Sequence, residues 1–151
     1  MFFHKVRVVS PLPDFQVLVQ FAEGVTKRYD LRPLFARWPV FRALQDGRLF
    51  DEVQVGPGGY GISWNDDIDL SCGELFANGQ VVKTPFDGLM AFGDATDLWG
   101  LNESTLRKAV AYGKLREGTD VQKFGKQWVV SLEAMRREYG APGPHSAGDP
   151  R

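Results

Sequence analysis

The sequence predicts an α+β protein in which a small mixed domain precedes a mainly α-helical one. β-branched runs and short helical segments alternate over the first half of the chain, and helical periodicity dominates the second half. With 151 residues, the chain is long enough for two small domains. We predict a first domain at residues 1–79, a connector at 80–91, a second domain at 92–140 and a disordered tail at 141–151, where proline and glycine are frequent.

β-branched residues predict the strands at the start of the first domain. Lys5–Ser10 and Gln16–Phe21 are β-branched runs, and Pro11–Asp14 reads as the turn between them. A tight turn at Ala22–Val25 then leads into a return strand at Thr26–Asp30.

Short helices complete the first domain. Asp30 is placed to cap one helix, and Pro39–Gly47 has the proline-first and glycine-last pattern of another. Two further strands are expected on either side of Gly56–Gly59. Ser71 and Glu74 have the Ser-x-x-Glu spacing of a capping box, which predicts a helix start.

The second domain opens with two helices separated by a glycine. Apolar residues at i, i+3 and i+4 define one face of the first helix: Ala95, Leu98 and Trp99. Gly100 permits a left-handed turn, and the Asn102 side chain is placed to cap a second helix that Gly113 closes. The second helix also has an apolar face: Leu106, Ala109 and Val110.

A hairpin and a closing helix follow. Two extended runs meet at Phe124-Gly125-Lys126, and Ser131 is placed to cap the last helix. Trp99 and Trp128 are expected to be core anchors.

The order of residues in the first domain resembles a bacterial family of small domains of unknown function. The matching positions lie within about residues 4–79 and are Pro11, Leu12, Leu31, Phe50, Trp64, Asp69 and Leu70. Members of that family stand alone or beside a helix-turn-helix. The resemblance implies an antitoxin-like role beside a small toxin, and it supplies no catalytic residue.

Residues of about 93–139 resemble the winged helix-turn-helix domains of the excisionase and MerR-like group. The matching positions, in order, are Gly100, Leu101, Asn102, Thr105, Leu106, Gly113, Leu115 and Gly125. The hairpin of that group is usually arginine-rich, whereas Lys123, Lys126 and Gln127 stand here. The resemblance implies that the second helix enters the major groove of DNA and that the hairpin acts as a wing.

The candidate DNA-contacting residues lie on the second helix and the hairpin. They are Ser104, Thr105 and Lys108 for the major groove, Arg107 and Tyr112 for phosphates, and Lys123, Lys126 and Gln127 on the wing. The chain has a net charge of −1, but residues 102–128 contain six Lys or Arg against three Asp or Glu. A solvated polar face on a helical bundle is the alternative interpretation.

The sequence carries no pattern typical of a catalytic or metal site. Cys72 is the single cysteine, and with His4 and His145 it offers no zinc spacing. Asp66, Asp67 and Asp69 lack the other ligands of a calcium loop, and Gly56–Gly61 lacks the Lys-Ser/Thr of a phosphate loop. We expect no enzyme activity, metal or cofactor.

These observations favour a DNA-binding transcriptional regulator or antitoxin-type autoregulator. We expect it to bind double-stranded DNA as a homodimer, through the helix 103–112 and the wing 121–130. The absence of an apolar run of membrane-spanning length and of a signal peptide predicts a cytoplasmic protein. The alternative is a non-catalytic, antitoxin-like interaction module whose first domain, with ten Asp or Glu against eight Lys or Arg, binds a small basic toxin-like protein and no DNA.

Overall fold

The computed structural model describes residues 3–143, which divide into two compact units. The N-terminal unit is Phe3–Pro85, and the described part of the C-terminal unit is 86–143. Most of the tail predicted at 141–151 lies outside the described residues, which end at Gly143.

The N-terminal unit is built from two antiparallel sheets and two short α-helices. Its elements in chain order are β1 (Val6–Leu12), β2 (Gln16–Phe21), β3 (Thr26–Asp30), α1 (Arg32–Arg37), β4 (Gln54–Val55), β5 (Gly61–Ser63), β6 (Asp69–Ser71), α2 (Cys72–Asn78) and β7 (Gln80–Val81). Short 3₁₀ helices lie at Pro39–Gln45, Leu49–Glu52 and Pro57–Gly59. One sheet has the order β1-β2-β3-β7 and the other β4-β5-β6. The unit therefore has the mixed α+β composition that the sequence predicts.

The first hairpin turns two residues later than predicted. Pro11 lies within β1 and pairs with Val17, so the expected turn at Pro11–Asp14 is wrong at its start. Proline is tolerated there because β1 is the edge strand of its sheet. The chain turns at Asp14 and Phe15, whose φ angles are 62° and 58°. The Phe15 ring contacts two other rings edge-on, those of Phe35 and Phe50, and this packing supports an unusual backbone conformation.

The core of the N-terminal unit lies against one face of the larger sheet. Alternate residues of β2, namely Val17, Val19 and Phe21, are buried, as the two-residue period of a strand requires. Buried Trp64 also donates a hydrogen bond from Nε1 to the Phe50 carbonyl oxygen at 3.0 Å. Aromatic packing and a satisfied indole nitrogen thus hold the second sheet to this core.

The helix caps of this unit follow the prediction at one helix and depart from it at the other. Ser71 Oγ accepts a hydrogen bond from the Glu74 amide at 3.1 Å, so the predicted cap of α2 is confirmed. The N-cap residue of α1 is Leu31, not Asp30. Asp30 Oδ1 still accepts from the amide of Arg32, the first residue of α1, at 3.0 Å. Asp30 itself pairs with Gln16 of β2, so it lies in the strand, one residue before the N-cap position.

The segment 80–91, predicted to be a connector, contributes a strand to each unit. β7 pairs with Lys27 and Arg28 of β3 in the N-terminal unit. Leu89–Ala91 forms β8, which pairs with a strand of the C-terminal unit. These strands are two and three residues long, which is too short to show a sequence periodicity. They are strands because each forms backbone hydrogen bonds with a neighbouring strand.

The C-terminal unit combines three helices with a three-stranded antiparallel sheet. Its elements in chain order are β8, α3 (Phe92–Trp99), α4 (Glu103–Ala111), β9 (Val121–Phe124), β10 (Gln127–Ser131) and α5 (Leu132–Tyr139). The strand order is β8-β10-β9. Large buried side chains fill its core: Met90, Phe92, Leu98, Trp99, Leu106, Leu115, Val130 and Met135.

Within residues 3–143, no helix has both the length and the apolar character that a membrane span needs.

Candidate nucleic-acid interface

Helices α3 and α4 are joined by a tight turn that glycine makes possible. Gly100 has φ 65° and ψ 37°, a left-handed conformation that ends α3. The Leu101 amide donates to the Thr96 carbonyl oxygen at 2.9 Å across this turn. Trp99 is fully buried, and its Nε1 donates to the Gly140 carbonyl oxygen at 3.0 Å, so Trp99 is the core anchor that was predicted.

Helix α4 begins without the side-chain cap that the sequence predicts. Asn102 is the N-cap residue and has extended backbone angles, but its side chain accepts no capping hydrogen bond. Its carbonyl oxygen accepts from the Thr105 amide at 3.0 Å, while the exposed side chain lies in solvent. The position of the helix start is therefore confirmed, and the predicted role of the Asn102 amide group is wrong.

The two faces of α4 differ sharply in exposure. Leu106 and Ala109 are buried against the core. Ser104, Lys108 and Ala111 lie on the opposite face and are exposed, as 3.6 residues per turn requires.

The most exposed and the least exposed of the candidate residues lie on the flanks of α4. Tyr112, at the C-terminal end of the helix, is 83% exposed. Thr105 is only half-buried and lies nearer the packed side. Among the candidate residues of α4 and its C-terminal end, Ser104, Arg107, Lys108 and Tyr112 are thus exposed, and Thr105 lies at the margin of the exposed surface.

The two cations of α4 have different electrostatic environments. Arg107 Nη2 lies 3.2 Å from Glu103 Oε2, an exposed i,i+4 ion pair. Lys108, by contrast, forms no ion pair with any residue of 3–143. A phosphate would have to compete with Glu103 for Arg107, whereas Lys108 presents its charge to solvent without a competitor.

The β9–β10 hairpin is confirmed and presents the other candidates. Its loop is Gly125–Lys126, between the paired residues Phe124 and Gln127, and Gly125 has φ 61°. The side chains of Lys123, Lys126 and Gln127 are exposed.

Trp128 anchors this hairpin from its inner face. Its half-buried ring stacks on Phe92 with 5.7 Å between ring centroids. Trp128 has two further contacts. Lys123 Nζ lies 5.6 Å from the centroid of its ring, and Gln127 Nε2 donates a hydrogen bond to its carbonyl oxygen at 3.0 Å. The ring therefore orients the lysine next to the hairpin tip.

Asp120 carries an ion pair that the sequence does not indicate. Its carboxylate accepts hydrogen bonds from Arg137 Nη1 and Nη2 at 3.1 and 2.9 Å and from the Arg116 amide at 2.9 Å. The hydrogen bonds from Arg137, reinforced by the Arg116 amide, hold the pKa of Asp120 below its usual range. Arg137 lies 17 residues away on α5, so no local spacing could have indicated the pair. One of the three acidic residues of 102–128 is thereby neutralised from outside that segment.

A second feature missed from the sequence is an exposed aromatic ring at the hairpin. Phe124 is 61% exposed and stands beside the loop. Strand alternation is the signal that indicates it, since position 124 shares a strand face with exposed Gln122 and not with buried Val121.

Residues 3–143 contain no grouping of His, Cys, Asp or Glu that could hold a metal ion. The acidic run after Trp64 forms a turn, in which Asn65 Oδ1 accepts from the amides of Asp67 and Ile68 at 2.8 and 3.0 Å. Cys72 is buried.

Comparison with known families assigns both halves of the chain. A family model described as a protein of unknown function (DUF2442) matches residues 6–81, which is half of the chain. The chain belongs to the DUF2442 family. A second model, described as a helix-turn-helix domain, matches residues 82–143 and so covers both α3 and α4. Neither the curated proteins nor the solved structures yielded a match.

The protein is therefore a DUF2442 domain followed by a helix-turn-helix domain. The helix-turn-helix domain suggests DNA binding. The structure brings the helix candidates together on α4 and the other three on the β9–β10 hairpin of the same unit.

Proposed function

We propose that the protein is a DNA-binding transcriptional regulator or antitoxin-type autoregulator, and that it has no catalytic activity. The observation that carries the proposal is the outward face of α4. In a helix-turn-helix domain this face presents exposed Ser104 and Lys108, and Lys108 has no ion-pair partner among the described residues. The resemblance of residues 93–139 to the excisionase and MerR-like group supports the same assignment.

In this proposal α4 enters the major groove. Ser104 and Lys108 contact base edges, with Thr105 at the margin of the contact, because hydroxyl and ammonium groups match the donors and acceptors displayed there. Tyr112 and Arg107 contact phosphates on either side, and Arg107 exchanges its Glu103 partner for a phosphate when DNA binds.

The β9–β10 hairpin acts as the wing. Lys123 and Lys126 contact the sugar-phosphate backbone, and Gln127 is available for a hydrogen bond at the same site. Lysines bind phosphates as point charges, so this contact contributes affinity and salt dependence and little sequence selectivity.

We propose a homodimer on DNA. Helix α4 has nine residues, and one such helix reads only a few base pairs. A second copy related by two-fold symmetry doubles the site, which predicts a palindromic target. Sequences selected from a random duplex pool should contain inverted half-sites about one helical turn apart.

The decisive experiment measures binding of a fluorescent random-sequence duplex by anisotropy over about 50–200 mM salt. Wild-type protein should bind with an affinity that falls linearly with salt on logarithmic axes. Lys108→Glu should weaken binding at low salt by about tenfold or more, because it replaces an attraction with a repulsion at the centre of the contact.

Arg48→Glu is the matched control, since it changes net charge equally at an exposed position of the DUF2442 domain. It should leave affinity within about twofold of wild type. Absence of salt-sensitive binding by wild type would refute the DNA-binding proposal. Equal binding by wild type and Lys108→Glu would refute the assignment of the α4 face alone.

A second candidate is an antitoxin-like module that binds a small basic protein and no DNA. Its support is the acidic excess of residues 1–79, with ten Asp or Glu against eight Lys or Arg. Co-purification of a small basic protein from the native host, by a chain that shows no salt-sensitive DNA binding, would favour this candidate over the regulator.

A further inference from the structure

A polar cleft lies in the DUF2442 domain, where the end of β3 meets α1 and α2. Its volume is about 450 Å³, within the usual size range of small-molecule sites. The charged side chains that line it are Arg28, Asp30, Arg32, Arg37 and Glu74. Three arginines against two carboxylates leave a net positive charge on a concave surface, where the protein shields an ion from bulk water on several sides.

One of the three arginines is paired with a carboxylate of the cleft. Arg32 donates to both carboxylate oxygens of Asp30, with Nη2 2.9 Å from Oδ2. The hydrogen bond from Arg32 holds the pKa of Asp30 below its usual range. Asp30 is therefore charged and already occupied, so it does not neutralise another arginine.

The second carboxylate is also held by neighbours. Glu74 Oε2 accepts from the Tyr29 hydroxyl at 2.7 Å and from Asn78 Nδ2 at 2.9 Å. Burial and this Glu74 bond raise the pKa of Tyr29, and Arg37 opposes that rise, which locates the Arg37 charge near the Tyr29 hydroxyl. Glu74 Oε1 receives no hydrogen bond from the residues of 3–143, so it is available to a donor.

Arg28 and Arg37 are left with no carboxylate partner in the described part of the chain. They come from different elements, β3 and α1, and both line the cleft. The pairing of β7 with β3 stops at Arg28, so the cleft is not closed by a strand beside Tyr29 and Asp30. Two guanidinium groups without a carboxylate partner at one open cleft suit an oxyanion, which arginine binds through its paired N–H donors.

We infer that this cleft binds a small organic anion, whose carboxylate or phosphate group lies between Arg28 and Arg37 and whose hydroxyl or amino group donates to Glu74. The site goes beyond the proposed DNA contact and lies in the other domain. It is detected without DNA, so its failure and the failure of the regulator proposal are independent results.

The test is a titration of the full chain, followed through the Nε–Hε signals of its arginines by NMR. The probes are inorganic phosphate, succinate and malate, each compared with chloride at equal ionic strength. Saturable shifts of the Arg28 and Arg37 signals with phosphate or with succinate support the site, and the tighter of the two identifies the anionic group. Malate should bind more tightly than succinate, because its hydroxyl supplies the donor for Glu74.

Variants separate a built site from general charge attraction. Arg28→Ala and Arg37→Ala should each raise the dissociation constant at least tenfold, while Arg48→Ala, an exposed arginine outside the cleft, should leave it unchanged. The backbone amide spectrum of each variant verifies its folding.

Three results would overturn the inference. One is a shift that rises linearly with every probe, and another is equal binding by Arg28→Ala, Arg37→Ala and wild type. The third is saturation by an acetylated and amidated triglutamate peptide with none by the small anions, which would assign the cleft to an acidic protein segment instead.

Discussion

The two faces of α4 show how one short helix separates folding from recognition. Leu106 and Ala109 are buried and make the helix part of the core. Lys108 and Ser104, only one or two residues away in sequence, are exposed and make no ion pair with the rest of the described chain. The packed face therefore explains why the helix forms, and only the exposed face determines what the helix can bind.

The same separation holds for charges in the helix-turn-helix domain. Asp120 and Arg137 are bound to each other, so these two charges serve local structure, and Arg107 has to leave Glu103 before it can contact a phosphate. Lys108 and Lys126 have no such partner within residues 3–143. Charges that the fold does not use are the ones available to a polyanion.

The largest expected effect comes from the packed face. Leu106→Ala should lower the free energy of unfolding by about 3 kcal/mol, because it removes a fully buried side chain and leaves a cavity. Lys108→Ala on the open face should change it by less than about 0.5 kcal/mol. Denaturant unfolding gives both values, and amide exchange at Val130 reports on this unit alone. Similar losses for the two variants would show that the faces are not energetically distinct.

An intermediate effect is expected at Asp120. Asp120→Asn should lower the free energy of unfolding by about 1–2 kcal/mol at neutral pH, because the charged acceptor of Arg137 and of the Arg116 amide is lost. The side chain is 11% exposed, so solvent replaces those bonds only in part.

The pH dependence of this effect has a definite sign. The pKa of Asp120 is lowered on folding, so its contribution is complete above the ordinary carboxyl pKa of about 3.9 and is lost as the pH falls through the lower value. The gap between wild type and Asp120→Asn should therefore close in acid. Glu117→Gln, which removes an exposed carboxylate of the same unit that has no ion pair within residues 3–143 and lies outside any helix, should show no such gap. A gap that stays constant with pH would exclude the ion pair as its cause.

The sequence was sufficient where a structural rule is local. The Ser71 and Ser131 caps, the left-handed Gly100 and the hairpin loop at Gly125 each depend on residues within four positions of one another, and all are present in the fold. The start of α4 at Glu103 also followed from spacing alone, whereas the helix ends at Ala111, one residue before the predicted end at 112.

Pairings between distant residues could not be predicted in this way. β8 is three residues long and is a strand only because β10 lies beside it. The Asp120–Arg137 pair spans 17 residues, and the arginines of the DUF2442 cleft come from a strand and a helix. Their proximity is a property of the tertiary fold, which a single sequence does not reveal.

The smallest expected effect compares two helix starts in the helix-turn-helix domain. Ser131 Oγ accepts from the Ala134 amide at 3.0 Å, so Ser131→Ala should lower the free energy of unfolding by about 1 kcal/mol. Asn102 stands at the same position before α4 but makes no side-chain cap, so Asn102→Ala should cost no more than a few tenths of a kcal/mol. Ser131→Thr, which keeps a hydroxyl, should recover most of the first loss in the same denaturant titration. A cost for Asn102→Ala as large as that for Ser131→Ala would mean that the Asn102 side chain does cap α4 in solution. A free backbone amide in the first turn of α4 would then have a hydrogen-bond acceptor.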